Sequence, residues 1–263
     1  PVGVPHRIAS VCRTHLLEIP GVGLPTNEEG MFSAGARTEI VKMAEQRSCV
    51  LCGPGMGVCA DTVSVVSSLL ECDVPLVLDA DALNALSRMT TNRLDNFPEL
   101  IRREAPLVLT PHRRELGRLV GQPGEPPSSL TAALEAARRI VWADGGSDIC
   151  VVAKGESTGC VGVEIALLPK PGPACLATAG SGDVLGGIMA ALLARGVVEN
   201  DVLPLVCAFA CEVHGFAANL AAEAHGSRGV MASDLIGNLG LALVAMEEQV
   251  SLAVAGVSPE EGE

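Results

Sequence analysis

Four short apolar runs recur along the first part of the chain, each ending in a glycine, an alanine, an aspartate or a threonine–proline step: residues 49–53, 76–79, 107–110 and 149–153. Small or polar residues follow each run, and in most cases apolar residues at helical spacing come next. That alternation predicts strands followed by helices, and therefore parallel βαβ units with both sheet faces covered. The run Pro75-Leu76-Val77-Leu78-Asp79 has no polar residue before its final aspartate, as a strand buried on both sides requires. After the third run, Thr110 is the expected N-cap of a helix whose first residue is Pro111.

Farther along, Val184, Leu185, Ile188, Met189, Leu192 and Leu193 repeat at helical spacing, with Arg195 and Gly196 closing the helix. Two more alanine-rich helical patterns cover 202–224 and 232–249. Residues 121–129 are rich in proline and glycine, yet strand–helix alternation resumes after them, so they predict a surface loop and not a domain boundary. Near the start, 14–19 reads as a strand and 31–46 as a helix entered at Ser33. The expectation is one α/β domain over 1–263, with 254–263 as a disordered tail.

Hydrophobic residues make up 48% of the chain, but aromatics only 2%, with no Tyr and a single Trp142. The core must be built from Ala, Val, Leu and Ile, and no base-stacking surface is available. A formal charge of −13 repels nucleic-acid phosphates as well. A cluster of backbone N–H groups can still hold a small phosphorylated ligand. Most of the ten cysteines lie in apolar runs, and Cys49 and Cys52 face opposite sides of a strand with no matching Cys/His pair downstream. Reduced thiols are expected, without zinc. With no basic-then-apolar leader and no uninterrupted spanning run, the expected location is the cytoplasm, away from membranes.

The sharpest chemical signal is Gly180-Ser181-Gly182-Asp183, running straight into an apolar helix. Two glycines allow a tight turn, and the N–H groups of Gly180, Ser181 and Gly182 at a helix start make an anion hole suited to a phosphoryl group. Asp183 reads either as a base toward a substrate hydroxyl or as a favourable helix-terminus residue, and the dipole is expected to keep it ionised. Lys154, at the end of the fourth run, meets a phosphate or is simply solvated. Asp79 and Asp81 lie two apart at a strand end, a spacing that puts both on one side for Mg²⁺. Alternatively, Asp81 caps the helix 82–88 and Asp79 holds a loop. His112 is open to a structural or a binding role, and the glycine turn 53–57 lets backbone approach a ligand closely.

Taken in order, Gly53-Pro-Gly-Met-Gly57, Val77-Leu-Asp-Ala-Asp-Ala-Leu-Asn84, Leu109-Thr-Pro-His112 with Glu115 and Leu119, Lys154-Gly155 with Thr158, and Gly180-Ser-Gly-Asp183 resemble the NAD(P)H-hydrate dehydratase family, as does the segment 214–234. The resemblance spans about residues 30 to 248. It implies a ribokinase-like three-layer sandwich: a central, mostly parallel sheet with helices on both faces. It also implies a repair reaction in which hydrated NADH or NADPH is phosphorylated on its ring hydroxyl by ADP, or by ATP, and phosphate is then eliminated. By the same resemblance Asp183 activates the hydroxyl. Lys154, Gly155, Glu156, Ser157, Thr158 and Gly182 contact the adenine nucleotide. Gly57 and His112 line the NAD(P)HX side, Mg²⁺ bridges the phosphates, and the protein is a homo-oligomer, with a tetramer among the options. The family's opening Lys-Gly-x-x-Gly segment and Gly-Gly-Ser loop have no counterpart in residues 1–23, so part of the substrate pocket is expected to be missing from these residues. A small-molecule kinase of the ribokinase-like superfamily and a nucleotide-binding protein without turnover are the rival readings.

Overall fold

The computed structural model describes residues 1–90, 103–143, 148–196 and 202–254, so the expected tail beyond 254 lies outside the described residues. Strands β1 (Val2–Pro5) and β2 (Gly21–Leu24), joined through helix α1 (Ala9–His15), pair in parallel as a small separate sheet. The main sheet runs in chain order: β3 (Val50–Cys52), β4 (Leu76–Leu78), β5 (Leu107–Leu109), β6 (Ile149–Ala153), β7 (Gly159–Val161) and β8 (Ala166–Leu167). β3 to β6 are parallel, and β7 and β8 fold back antiparallel. The four apolar runs are β3 to β6.

The pleat sorts each run between two cores. Leu76, Leu78, Leu107, Leu109, Ile149 and Val151 face one core, while Val77, Val108, Cys150 and Val152 face the other. Helices α2 (Arg37–Ala44), α3 (Ala60–Glu71), α4 (Asp81–Met89), α5 (Arg113–Leu119) and α6 (Leu130–Ala143) close the first. Helices α7 (Ser181–Leu193), α8 (Leu203–His225) and α9 (Ala232–Val254) close the second. Both faces are dry, so the strands carry no polar alternation. By length and composition α8 could cross a membrane, but its Cys207, Ala210, Val213 and Ala217 are buried against the sheet. All ten cysteines are free, and Cys49 and Cys52 pack toward opposite cores, as strand geometry predicts.

Three expectations need correction. Residues 14–19 are not a strand: α1 ends at His15, and the strand falls on Gly21–Leu24. Its glycines hide the β pattern and serve packing, since a side chain on Gly23 would come within 3.0 Å of Ala9. The helix expected over 31–46 is shorter, a 3-10 turn at Ala34–Ala36 followed by α2 (Arg37–Ala44), though it is entered after Ser33. Thr110 and Pro111 do not start a helix. Thr110 donates from both its N–H and its hydroxyl to the Leu78 carbonyl, and the Pro111 carbonyl accepts the Lys154 N–H at 2.9 Å, so strand pairing runs on past β5. His112 becomes the N-cap of α5.

Truncating Leu78 to Ala should destabilise the protein by roughly 2–5 kcal/mol in urea unfolding, whereas Leu205→Ala, on the exposed side of α8, should cost about 0.5 kcal/mol or less. Equal losses would contradict a β4 buried on both faces.

Candidate active site

The parallel strands all end at one edge, and the chain crosses that edge with little clearance. Gly53, just past β3, has φ +129°, and a Cβ there would collide with the Asp79 carbonyl past β4. The Asp79 N–H donates to the Cys52 carbonyl at 3.1 Å, which locks the two strand ends together. Asp79 is buried, a costly place for a carboxylate without a partner. Its partner is Lys154, from the end of β6, with Nζ 2.7 Å from Asp79 Oδ1. The pair spans β5 and joins two strands that are not neighbours. Lys154 is therefore neither simply solvated nor solely a ligand group; its ammonium neutralises a buried carboxylate.

The N-terminus of α7 stands over this pair. Gly180 takes φ +83° as the N-cap, turning the chain into the helix. A Cβ on Gly182 would lie 3.4 Å from Lys154 Nζ and 3.8 Å from Asp79 Oδ2, in van der Waals contact with the ion pair. The Ser181 N–H is taken by the Thr178 carbonyl at 3.3 Å. The Gly182 and Asp183 N–H groups precede the first carbonyl the helix can offer them, and they are the donors this turn presents to an anion. Asp183 is on the exposed side of the same turn. Its pKa is raised, first by partial burial of the carboxyl and then by the Asp79 carboxylate, against the opposing Lys154 charge. Lost hydration and the neighbouring carboxylate thus oppose the dipole that is expected to keep Asp183 ionised.

Asp79 and Asp81 part company. Ala80 adopts φ 49°, a left-handed conformation strained for a residue with a Cβ. The turn sends Asp79 to Lys154, while Asp81 accepts the Gly57 N–H on Oδ2 at 2.8 Å. Asp81 is the first residue of α4, with Ala80 as N-cap, so it ties down the glycine loop and does not cap the helix. Gly57 itself has φ +73° and lies against Met31. His112 accepts the Arg114 and Glu115 N–H groups on Nδ1, at 3.1 and 3.3 Å, which puts its proton on Nε2, 3.3 Å from Glu115 Oε1. Burial, then the Lys154 and Arg118 charges, lowers its pKa and keeps the ring neutral. The loop 154–158 is the turn of the β6–β7 hairpin, with Gly155 and Glu156 exposed.

Two participants were missed in the sequence. His214, buried on α8, has Nε2 3.2 Å from the Ser181 hydroxyl, which fixes the first residue of α7 from below. Burial drops its pKa to about 4, so it is neutral at pH 7. Arg113, at the start of α5, brings its guanidinium alongside Gly155 and ties to the Ser128 carbonyl at 3.4 Å. No local pattern marks Arg113, and although His214 opens the segment 214–234 that resembles the family, its partner Ser181 is distant in sequence.

A mostly parallel sheet between two helical layers, with its glycine turn at the strand ends, places the chain among the ribokinase-like folds. Residues 6–240 match the model of the NAD(P)H-hydrate dehydratase family, and the chain belongs to that family. An ADP-dependent (S)-NAD(P)H-hydrate dehydratase of Neisseria meningitidis is 40% identical over 171 residues, covering 64% of this chain and 53% of that protein. A bifunctional NAD(P)H-hydrate repair enzyme of Salinibacter ruber is 34% identical over 195 residues, 73% of this chain and 34% of that protein. The chain thus spans about a third to a half of these curated relatives. Among solved structures, an ADP/ATP-dependent NAD(P)H-hydrate dehydratase from Bacillus subtilis, co-crystallized with ATP/Mg²⁺, superposes with a TM-score of 0.67 at 23% identity, over 92% of this chain and 76% of that one.

Replacing Asp79 with Asn should move the Asp183 titration to lower pH, since it removes the negative charge that raises it and frees the Lys154 charge to lower it. The Asp183 carboxyl resonance followed by NMR across pH checks this. An unchanged or raised midpoint would contradict the coupling. The same variant should lose about 3 kcal/mol of stability, the low end for breaking a buried ion pair, because Lys154 keeps some access to water.

Proposed function

We propose that the chain dehydrates hydrated NADH or NADPH at the expense of ADP, with ATP as an alternative donor. The observation that carries this reading is the meeting of a base, an anion-binding turn and a lysine–carboxylate pair at the start of α7. Hydroxide leaves a carbon poorly, and phosphorylation converts it into a good leaving group. The ring hydroxyl attacks the terminal phosphorus of the nucleotide while Asp183 accepts its proton, and the bond to the departing nucleotide breaks. Phosphate then leaves with the C–O electron pair, a ring proton is lost, and the double bond returns. The raised Asp183 pKa makes that carboxylate a stronger proton acceptor than an ordinary aspartate.

The Gly182 and Asp183 N–H groups hold the transferring phosphoryl, and the dipole of α7 adds to them. The hairpin loop Lys154, Gly155, Glu156, Ser157 and Thr158 borders the adenine nucleotide, and Gly57 and His112 border NAD(P)HX. Among the described residues no three His, Cys, Asp or Glu side chains group into an all-protein metal cage. Mg²⁺ bound through phosphates, waters and one carboxylate needs no such cage, and Asp79 Oδ2 beside Gly182 fits that attachment. Bound there, Mg²⁺ would offset negative charge on the phosphates. A kinase acting on a small alcohol would use the same turn, but it would leave a stable phosphorylated product.

A homo-oligomer accompanies this reading. On α9, Ile236, Leu241 and Val244 are exposed alongside Gly237 and Gly240, a flat apolar face open to a second copy. Light scattering at micromolar concentration should give a multiple of the monomer mass, and Leu241→Glu should reduce it. A monomer in the unmodified protein would contradict the proposal.

Asp183→Asn keeps the shape of the turn and removes the base. Turnover should fall by about 10²–10⁴-fold, with ADP affinity by calorimetry and the melting temperature little changed. Near-normal turnover would remove Asp183 from the chemistry, leaving only a helix-terminus role worth about 0.3–1 kcal/mol.

A further inference from the structure

Between α4 and α5 lies a cleft of about 410 Å³, bounded by Val58, Asn84, Ser87, Arg88, Arg118 and Pro123. Two guanidinium groups on one small cavity are unusual in a chain of net charge −13. Each is anchored by a neutral acceptor: Arg118 donates to Asn84 Oδ1 at 2.6 Å, and Arg88 to the Val58 carbonyl at 3.2 Å. Among the described residues, neither arginine forms an ion pair with a carboxylate. A guanidinium has five donors in a planar fork, so one such bond leaves most of its capacity for an anion.

The cleft adjoins the substrate side of the site. Val58 follows Gly57, and Asn84 lies one turn along α4 from Asp81, which holds the Gly57 N–H. Arg118 is on α5, the helix capped by His112, and its charge reaches both His112 and Glu115. A ligand whose reacting ring lay near Gly57 and His112 could therefore extend into a pocket bearing two positive charges.

We infer that this cleft binds a phosphate group of the dinucleotide substrate between Arg88 and Arg118. The identity of the dinucleotide rests on the proposed function; the anion chemistry of the cleft does not. Two phosphate sources share that chemistry, the diphosphate common to both dinucleotides and the 2′-phosphate of the NADP form.

The test uses calorimetry of NADPH, NADH and ADP on the unmodified protein, Arg88→Gln and Arg118→Gln, with a thermal melt of each. Losing a charge-assisted contact to phosphate should weaken NADPH binding about tenfold in each variant, while ADP affinity stays within about twofold. A loss for NADPH alone assigns the 2′-phosphate; equal losses for NADPH and NADH assign the diphosphate. Arg88 is exposed, so its variant carries the test even if Arg118→Gln disturbs the fold through Asn84. Unchanged dinucleotide binding, an equal loss for ADP, or no dinucleotide binding by the unmodified protein would overturn the inference. Because no turnover is read, arginine-dependent binding by an inactive protein would sink the proposed reaction and leave the cleft assignment standing. An active enzyme with arginine-independent binding would sink the cleft alone.

Discussion

The site depends on one ion pair. Asp79 at the end of β4 and Lys154 at the end of β6 meet at 2.7 Å across the end of β5, with the carboxylate almost wholly out of water. A buried carboxylate alone would be unstable or protonated. The pair therefore constrains three strand ends, and the main-chain bonds from Asp79 to Cys52 and from Lys154 to Pro111 extend that constraint across the edge. Gly182 stacks over it, where a Cβ would already reach van der Waals contact with the pair. The start of α7, with the Gly182 and Asp183 N–H groups and the Asp183 carboxyl, lies against the ion pair.

The same pair acts on the Asp183 carboxyl. Partial burial pushes the Asp183 pKa up, Asp79 adds to that rise, and Lys154 opposes it. A helix dipole acting alone would give a stronger acid and a poorer base. A buried carboxylate under the helix start opposes that tendency, and the lysine offsets part of its charge. His214 contributes differently: neutral and buried, it holds the Ser181 hydroxyl without adding charge to the start of α7.

Much of this was legible in the sequence for a physical reason. Strands dry on both faces leave contiguous apolar runs, and in a parallel sheet the residues after each run gather at one edge, so the turns at Gly53, Asp79, Pro111 and Lys154 could be placed together. What failed was local conformation set by distant partners. Spacing alone put Asp79 and Asp81 on one side, whereas the strained Ala80 turn divides them. Thr110-Pro111 reads as a helix start, but Leu78 and Lys154 hold it in strand geometry. Gly21 and Gly23 obscured β2, because their small size answers to α1 packing on the strand. The link between Ser181 and His214 crosses 33 residues and leaves no periodic trace.

The central claim is that the substrate hydroxyl itself receives the phosphoryl group at the α7 turn. Hydrated NADPH carrying heavy oxygen in that hydroxyl, turned over with ADP and Mg²⁺, tests it through mass analysis of the products. Phosphorylation followed by elimination predicts that the label leaves in inorganic phosphate, one labelled phosphate for each NADPH formed. Label recovered in water alongside unlabelled phosphate would mean that the hydroxyl departs without being phosphorylated, and would contradict the account.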